Sequence, residues 1–444
     1  MLTSLGQRFG KVYTLKIPGR NRIIVCLDPK DVEHVTKTNF DNYVRGAELN
    51  TIFQDFFGGG IFNADGHSWY TQRKVASNIF NVKNFREFFA TTFQTEAILM
   101  LKILEQAAKD EQVIDLCDLF HRYTLDSFTQ IAFGVKLNIL QSYLDGDHRP
   151  VSFAAAFDFA QSVIDSRIFN PFYGLTERLS GAHGRYRQAI AEMDTFAYEV
   201  IQHRREDPKA SERSDLLSLF MNAKADDTGR HYTDKELRDI VMNMVIAGRD
   251  TTAQALSWTF YELDCRPDVV EKMRNEAESV LGQHFKTTDP DTPSYDAIKE
   301  MVYGRAVFTE ALRLHPSVSK QGKVALKDDV LPSGYSIKAG SMVAFASYAM
   351  GRSSELWGAD ALEFKPERFV NVAAPSPFKY FAFNAGPRLC LGQNMATIEA
   401  MTALTLILRD FDVQLAVPRS QIHYGNGLTL NLASGLPVRV HLRK

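Results

Sequence analysis

Cysteine is scarce in this chain. Its 444 residues include four, Cys26, Cys117, Cys265 and Cys390, with no Cys-x-x-Cys pair and no zinc-like spacing. A disulfide scaffold is not expected at this size, and a reducing compartment fits. Cys26, Cys117 and Cys265 are expected to be small buried hydrophobes. No run of 18 or more apolar residues occurs, so no transmembrane helix is predicted, and no signal peptide is recognisable. There is no long Gly/Ser or Pro-rich linker, no low-complexity tract and no repeat of solenoid length. Length alone would suggest roughly three domains of about 150 residues. Without linkers, one continuous body over residues 1–444 is the better expectation. The formal net charge of -2 lacks the basic excess of a general nucleic-acid binder, so no nucleic-acid partner is expected. The hydrophobic share of 45% is enough for a sizeable core.

Local patterns give a mainly α chain with small β-sheets near both ends, an α+β arrangement. VYTLKI and RIIVCL bracket PGRN and predict a hairpin, and DPKDVEHVTKT predicts a helix. Helical periodicity dominates from about residue 68 to 315. HRREDPKASERSD and HFKTTDPDTPSYD interrupt it as surface loops. β-Branched runs broken by PSG and AG follow residue 323, and LTLNLASGLPVRVHLR predicts a closing hairpin.

A long helix is predicted to cross the body. Thr233 to Glu236 form a capping box, and apolar residues follow at Leu237, Ile240, Val241, Met244, Val245, Leu256, Phe260 and Leu263. Arg266-Pro267 ends it. Its middle, AGRDTT at residues 247–252, is a poor helix: a glycine, two β-branched threonines and an aspartate that is hard to bury alone. Two readings stand. The segment is a polar turn facing solvent, or the helix is locally opened so that a small molecule lies against it, with threonine bonding back to the preceding turn.

FNAGPRLCLG, residues 383–392, sets Cys390 between Gly386 and Gly392 with Arg388 two residues before it. QNMATIEAMTALTLILR is predicted as a helix starting just beyond. Amides at a helix start and a nearby arginine would depress the thiol pKa. The glycines would let the backbone pass a flat, bulky object and take left-handed angles. The thiolate could act as a nucleophile, for which no histidine is near in sequence, or as a metal ligand. One thiolate is too few for structural zinc but enough for haem iron.

Phe383-x-x-Gly386-x-Arg388-x-Cys390-x-Gly392 resembles the haem-binding signature of the cytochrome P450 superfamily. Further motifs follow that family's order: Trp69-x-x-x-Arg73, Ala247-Gly248-Arg249-Asp250-Thr251-Thr252, Glu310-x-x-Arg313 and Pro366-Glu-Arg368-Phe369. The resemblance spans essentially the whole chain. It implies a single P450 haem domain, with haem b as cofactor and a long central helix over the haem. Cys390 is then the metal ligand, donating electron density that favours O–O cleavage. Trp69, Arg73, Arg388 and, after the Glu-x-x-Arg helix, Lys323 are implied as haem-propionate partners. Asp250 and Thr251 are implied as the catalytic proton relay, with Gly248 making room for dioxygen and Ala247 facing substrate. Glu310, Arg313 and Arg368 are implied as a buried structural charge cluster.

TFYELDCRPDVVEKMRNE, FTEALRLHPSV, DDVLPSG and YAMGRSSELWG look like the eukaryotic fatty-acid and alkane ω-hydroxylase branch. The expected function is insertion of one oxygen atom of O2 into a C–H bond near the end of a long-chain lipid. The expected electron source is NADPH through a separate flavoprotein, NADPH–cytochrome P450 reductase. Alternatives are another lipophilic substrate (sterol, terpenoid, xenobiotic), an O2-independent hydroperoxide isomerase or dehydratase, or a non-enzymatic haem sensor. The intact Asp250-Thr251 pair weighs against the last two. The phenylalanines of DNYVRGAELNTIFQDFFGGGIF suit an alkyl chain or are simply core, and of two readings for Arg45 there, a carboxylate anchor at the channel mouth or an ordinary surface arginine, the second is expected. The amino-terminal membrane helix of microsomal relatives is missing, so Met1 is expected to mark a trimmed or incomplete chain. The implied location is the cytosolic face of the endoplasmic reticulum membrane, with RIFNPFYGL as a segment able to dip into a bilayer.

Overall fold

The computed structural model describes residues 2–209, 213–286, 293–425 and 427–443. Parts of both polar interruptions, residues 210–212 and 287–292, lie outside the described residues. Helices make most of the molecule. Those that position the site are α1 (Ala47–Phe57), α2 (Gly66–Ser77), α3 (Leu116–Phe133), α4 (Ser152–Phe169), α5 (Asp234–Leu263), α6 (Val302–Leu314) and α7 (Gln393–Asp410).

Among the described residues, ten strands form three small sheets. β1 (Val12–Leu15) and β2 (Ile23–Cys26) make the predicted hairpin, paired antiparallel. β3 is Tyr43–Val44, β4 Ile114–Asp115, β5 Gln321–Ala325, β6 Asp329–Val330, β7 Ser336–Ile337, β8 Met342–Phe345, β9 Phe411–Leu415 and β10 Pro437–Leu442. The five-stranded sheet has the order β1-β2-β8-β5-β3, with β2 and β8 parallel. The apolar run Ile23–Cys26 fits its interior place, since Ile24, Val25 and Cys26 are all buried. The expected closing hairpin is not formed. β10 instead pairs with β9 and β4. Partners distant in sequence satisfy its backbone, so Leu430 and Leu432 are left to dock elsewhere.

α5 is the long crossing helix. It runs as 12 α-helical residues, a π-turn of 5 at Ile246–Asp250 and 13 more α-helical residues, a rod of roughly 45 Å. The Thr233–Glu236 capping box is present at its start. The π-turn falls on the weak AGRDTT segment, which selects the opened-helix reading. Carbonyls freed there find donors outside the helix. The Thr124 hydroxyl of α3 donates to the Arg249 carbonyl at 2.8 Å, and Ser317 donates to the Thr251 carbonyl at 2.7 Å. This is the usual signature of a π-bulge at a site of use.

The interior is apolar and close-packed. Phe53, Phe56 and Phe57 of α1 are buried, packing on one another and on Phe157, so these three belong to the core. Cys26 and Cys117 are buried as expected, but Cys265 is exposed. It sits where α5 gives way to Arg266-Pro267, at the surface end of the rod.

Candidate active site

The Cys390 loop is tied down by its own backbone. The Cys390 amide donates to the Phe383 carbonyl at 2.9 Å, and a 3-10 turn spans Gly386–Arg388. Gly386 has φ 64, and a Cβ there would collide with the Thr36 carbonyl, so only glycine fits. Gly392 takes ordinary angles, φ -87, at the start of α7. The expected left-handed requirement therefore holds for one of the two glycines.

The Cys390 side chain is exposed, yet burial pushes its thiol above the usual cysteine value. The two observations agree if the sulfur lines a recess rather than the outer surface. The Gly392 amide pulls the other way, as expected of a helix start; the arginine that does so is Arg73 rather than the expected Arg388, and burial outweighs both. The expected depressed thiol pKa is thus corrected for the protein alone: desolvation disfavours the thiolate unless a cation shares the recess.

A cationic group assembles from four distant segments. The Arg388 guanidinium donates to the Ala64 carbonyl at 2.7 Å, pairs with Asp65 at 2.9 Å and lies over the Trp69 ring at 4.6 Å. Asp65 is the residue preceding α2, and its other oxygen accepts the Arg45 amide at 2.7 Å. The Arg45 side chain donates to the Phe62 carbonyl and lies over Phe53. It is half-buried, not the surface arginine expected. Burial pushes Arg388 down to about 10. Lys323 on β5 is the strongest sign of an incomplete site: its ammonium is buried without a hydrogen-bond partner. Burial, then Arg388 and Arg45, push it well below the usual lysine range. Arg73 lies one turn along α2 from Trp69, and donates to the Leu389 carbonyl at 2.7 Å beside Cys390. Trp69, Arg73, Lys323 and Arg388 thus come together around the Cys390 loop. Asp65 was missed in the sequence, where only its place just before a helix marked it, whereas Arg45 was weighed there as a carboxylate anchor and set aside as a surface arginine.

On α5, Ala247 and Thr251 are half-buried while every other residue from Leu237 to Phe260 is buried. The two are one turn apart and so share a face. The Thr251 hydroxyl donates to the Ala247 carbonyl at 2.6 Å. Asp250 points elsewhere. It accepts from Gln161 of α4 at 2.6 Å and from Arg249 at 2.8 Å, and Arg249 also pairs with Asp158 at 2.6 Å. Burial holds Asp250 above the usual carboxylate range against the pull of Arg249. Asp250 and Thr251 are adjacent, but their side chains do not bond each other. Gly248 does not open a space for a ligand. A Cβ there would overlap the Phe128 ring, so this glycine lets α3 and α5 pack closely.

The charge cluster has the expected geometry. Glu310 and Arg313 on α6 have fully buried side chains, joined at 2.6 and 2.8 Å. Arg313 also donates to the Gly351, Ala361 and Glu363 carbonyls, and Arg368 approaches Glu310 at 3.4 Å.

The cytochrome P450 family model matches residues 1–431. The chain belongs to the cytochrome P450 family. Among curated proteins it is 36% identical to the P450 monooxygenase cyp1 of Mycosarcoma maydis, over 92% of this chain and 65% of that protein. It is 36% identical to P450 704B1 of Arabidopsis thaliana, over 94% and 86% of the two chains. For P450 704C1 of Pinus taeda the figures are 38%, 99% and 88%. P450s are haem-iron oxidoreductases that take electrons from a redox partner and act with O2 on lipophilic substrates. This P450 has the family's α+β architecture.

Sequence reasoning passed over Glu399 on α7. It is buried, accepts the Ser127 hydroxyl of α3 and is approached by Thr252 of α5. Burial pushes it up to about 8. In the unfolded chain the same carboxyl ionises near 4.5. The unfolded state therefore releases its proton first, and this group's contribution lowers stability as pH rises between those values. Glu399→Gln should remove that slope. Each pH unit between the two values is worth about 1.4 kcal/mol. Urea unfolding should therefore show the variant more stable by a few kcal/mol at pH 8 and little changed at pH 4.

Proposed function

We propose that residues 1–444 are one haem domain that hydroxylates long-chain fatty acids or alkanes at or near the methyl end. The observation that carries the haem site is the unpaired, buried Lys323 ammonium beside Arg388 and Arg45. With Lys323 protonated, Arg45, Lys323 and Arg388 exceed the single carboxylate of Asp65 by two positive charges, and burial makes that excess costly without an anion. A group bearing two carboxylates, such as haem, would balance them. The recessed Cys390 sulfur supports the iron ligand, since coordination removes the cost of forming a buried thiolate. Trp69 and Arg73 would complete the hold on the propionates.

When bound, the haem iron supplies oxygen activation. The chain's part is to shape the space and move protons. α5 is open only at Ala247 and Thr251 along its buried length, which supports these two as the wall facing oxygen and substrate. The Thr251 hydroxyl both donates and accepts, and the buried Asp250 carboxyl next to it is the proposed proton source. Thr251→Ala should keep haem loading and spectrum while hydrogen peroxide accounts for most of the NADPH consumed. Tight coupling in that variant would remove Thr251 from the relay.

The lipid assignment is supported by the resemblance of several segments to the fatty-acid hydroxylase branch. It is tested by titrating the ferric protein with fatty acids and alkanes. A low-to-high-spin shift is expected with long chains; a shift only with sterols or aromatics would overturn it. Electrons are proposed to come from NADPH through NADPH–cytochrome P450 reductase. No helix among the described residues is long and apolar enough to cross a membrane. The exposed Phe169, Phe172, Leu175 and Leu179 support contact with a bilayer surface, here assigned to the endoplasmic reticulum.

A further inference from the structure

Residues 58–64, Gly-Gly-Gly-Ile-Phe-Asn-Ala, form a strap of turns between the end of α1 and the start of α2. One side of the strap is gripped by α5. The Asp239 carboxylate accepts the Gly59 amide at 2.9 Å. The Asn243 side chain accepts the Phe62 amide at 2.9 Å and donates to the Phe57 carbonyl at 2.8 Å. Asp239 and Asn243 lie one turn apart, so they share a face of α5, and both are buried. Beside them, Arg238 donates to the Asp55 and Phe56 carbonyls at 2.9 and 3.0 Å, which satisfies open carbonyls at the end of α1. The approach is close. A Cβ at Gly60 would overlap the Asn243 amide, and one at Gly58 the Asp239 carboxylate.

The other side of the strap meets the cations around the Cys390 loop. Arg388 donates to the Ile61 carbonyl at 3.4 Å and the Ala64 carbonyl at 2.7 Å, and Arg45 donates to the Phe62 carbonyl at 3.0 Å. Gln72, between Trp69 and Arg73 on α2, donates to the Gly59 carbonyl at 2.9 Å. A guanidinium carries its donors in a rigid plane, so the acceptors it already holds set where its remaining N–H groups point. The strap therefore carries the position of α5 to Arg388 and Arg45.

We infer that Asp239 and Asn243 are positioning residues for the haem: they fix the strap, and the strap fixes how the Arg388 and Arg45 guanidiniums face a propionate. The inference rests on the proposed haem site, in which Arg388 holds a propionate.

The experiment follows transfer of haem from the loaded protein to apomyoglobin, together with the reduction potential of the iron. Asn243→Leu keeps the approximate volume and removes both bonds to the strap. Gly60→Ala leaves Asn243 in place and pushes the strap off it. Each should release haem about tenfold faster, the scale of losing buried hydrogen bonds. Each should also lower the potential, because cations held loosely favour the more negative ferrous haem less. Asp239→Asn still offers an oxygen to the Gly59 amide and should stay near the wild-type release rate, whereas Asp239→Leu should not. Arg388→Leu should release haem faster still. Added to it, Asn243→Leu should contribute less than its own factor, since both act through one guanidinium. Factors that multiply in full would make Asn243 an independent packing residue and overturn the inference. So would faster release at an unchanged potential, or wild-type release in both Asn243→Leu and Gly60→Ala. If Arg388→Leu leaves haem release unchanged, the haem-site reading itself fails.

Discussion

Replacing Cys390 by histidine should yield at best a haem protein without oxygenase activity. The strongly red-shifted absorbance of the reduced, carbon-monoxide-treated protein should disappear, and turnover should drop by about three orders of magnitude or more. The reason is electronic. A thiolate donates charge that a neutral imidazole does not, and burial, which raises the pKa of the bare Cys390 thiol, would make an anionic sulfur depend on a metal bound to it. Normal turnover in Cys390→His, with haem fully loaded, would refute the ligand assignment.

Arg313→Ala should be the most damaging change away from the haem pocket. Both side chains of the Glu310–Arg313 pair are fully buried, and Arg313 satisfies three further carbonyls in the segments after β8. Removing the guanidinium strands the Glu310 carboxylate and those carbonyls together. Losing one partner of a buried pair costs about 3–5 kcal/mol. The expected result is a chain that expresses without haem. The readout is the ratio of haem absorbance to protein absorbance, together with urea unfolding. A variant that loads haem normally and unfolds at the wild-type urea concentration would show that the cluster is dispensable.

The two changes act at different levels. Cys390→His leaves packing intact and alters one bond. Arg313→Ala leaves the chemistry intact and removes the scaffold around it. A protein that tolerated the second but not the first would have a haem site that folds independently of the cluster, contrary to the way α6 and the 351–363 carbonyls converge on one guanidinium.

Much of the site was legible because it is local. The capping box at Thr233, the weak AGRDTT segment and the glycine-flanked Cys390 loop each depend on residues a few positions apart. The hairpin of β1 and β2 was legible for the same reason. The closing strand was not, since β10 chose β9 and β4 over its sequence neighbours. Gly248 was read as space for a ligand when its constraint is the Phe128 ring, contributed by α3. Arg45 looked like a surface residue because nothing near it in sequence reveals Asp65, Lys323 and Arg388 around it.

By itself the sequence determined the helices, their caps, the weak turn in α5 and the order of motifs that marks the family. These follow from backbone geometry and side-chain size within a turn or two. The tertiary structure alone decided which charges meet and how dry they are. It left Lys323 without a counter-ion, turned Asp250 towards Gln161 and Arg249 instead of Thr251, and raised the Cys390 thiol that its local neighbours would have lowered. Desolvation and charge pairing depend on what the rest of the chain brings alongside, and most of those partners come from segments tens to hundreds of residues apart.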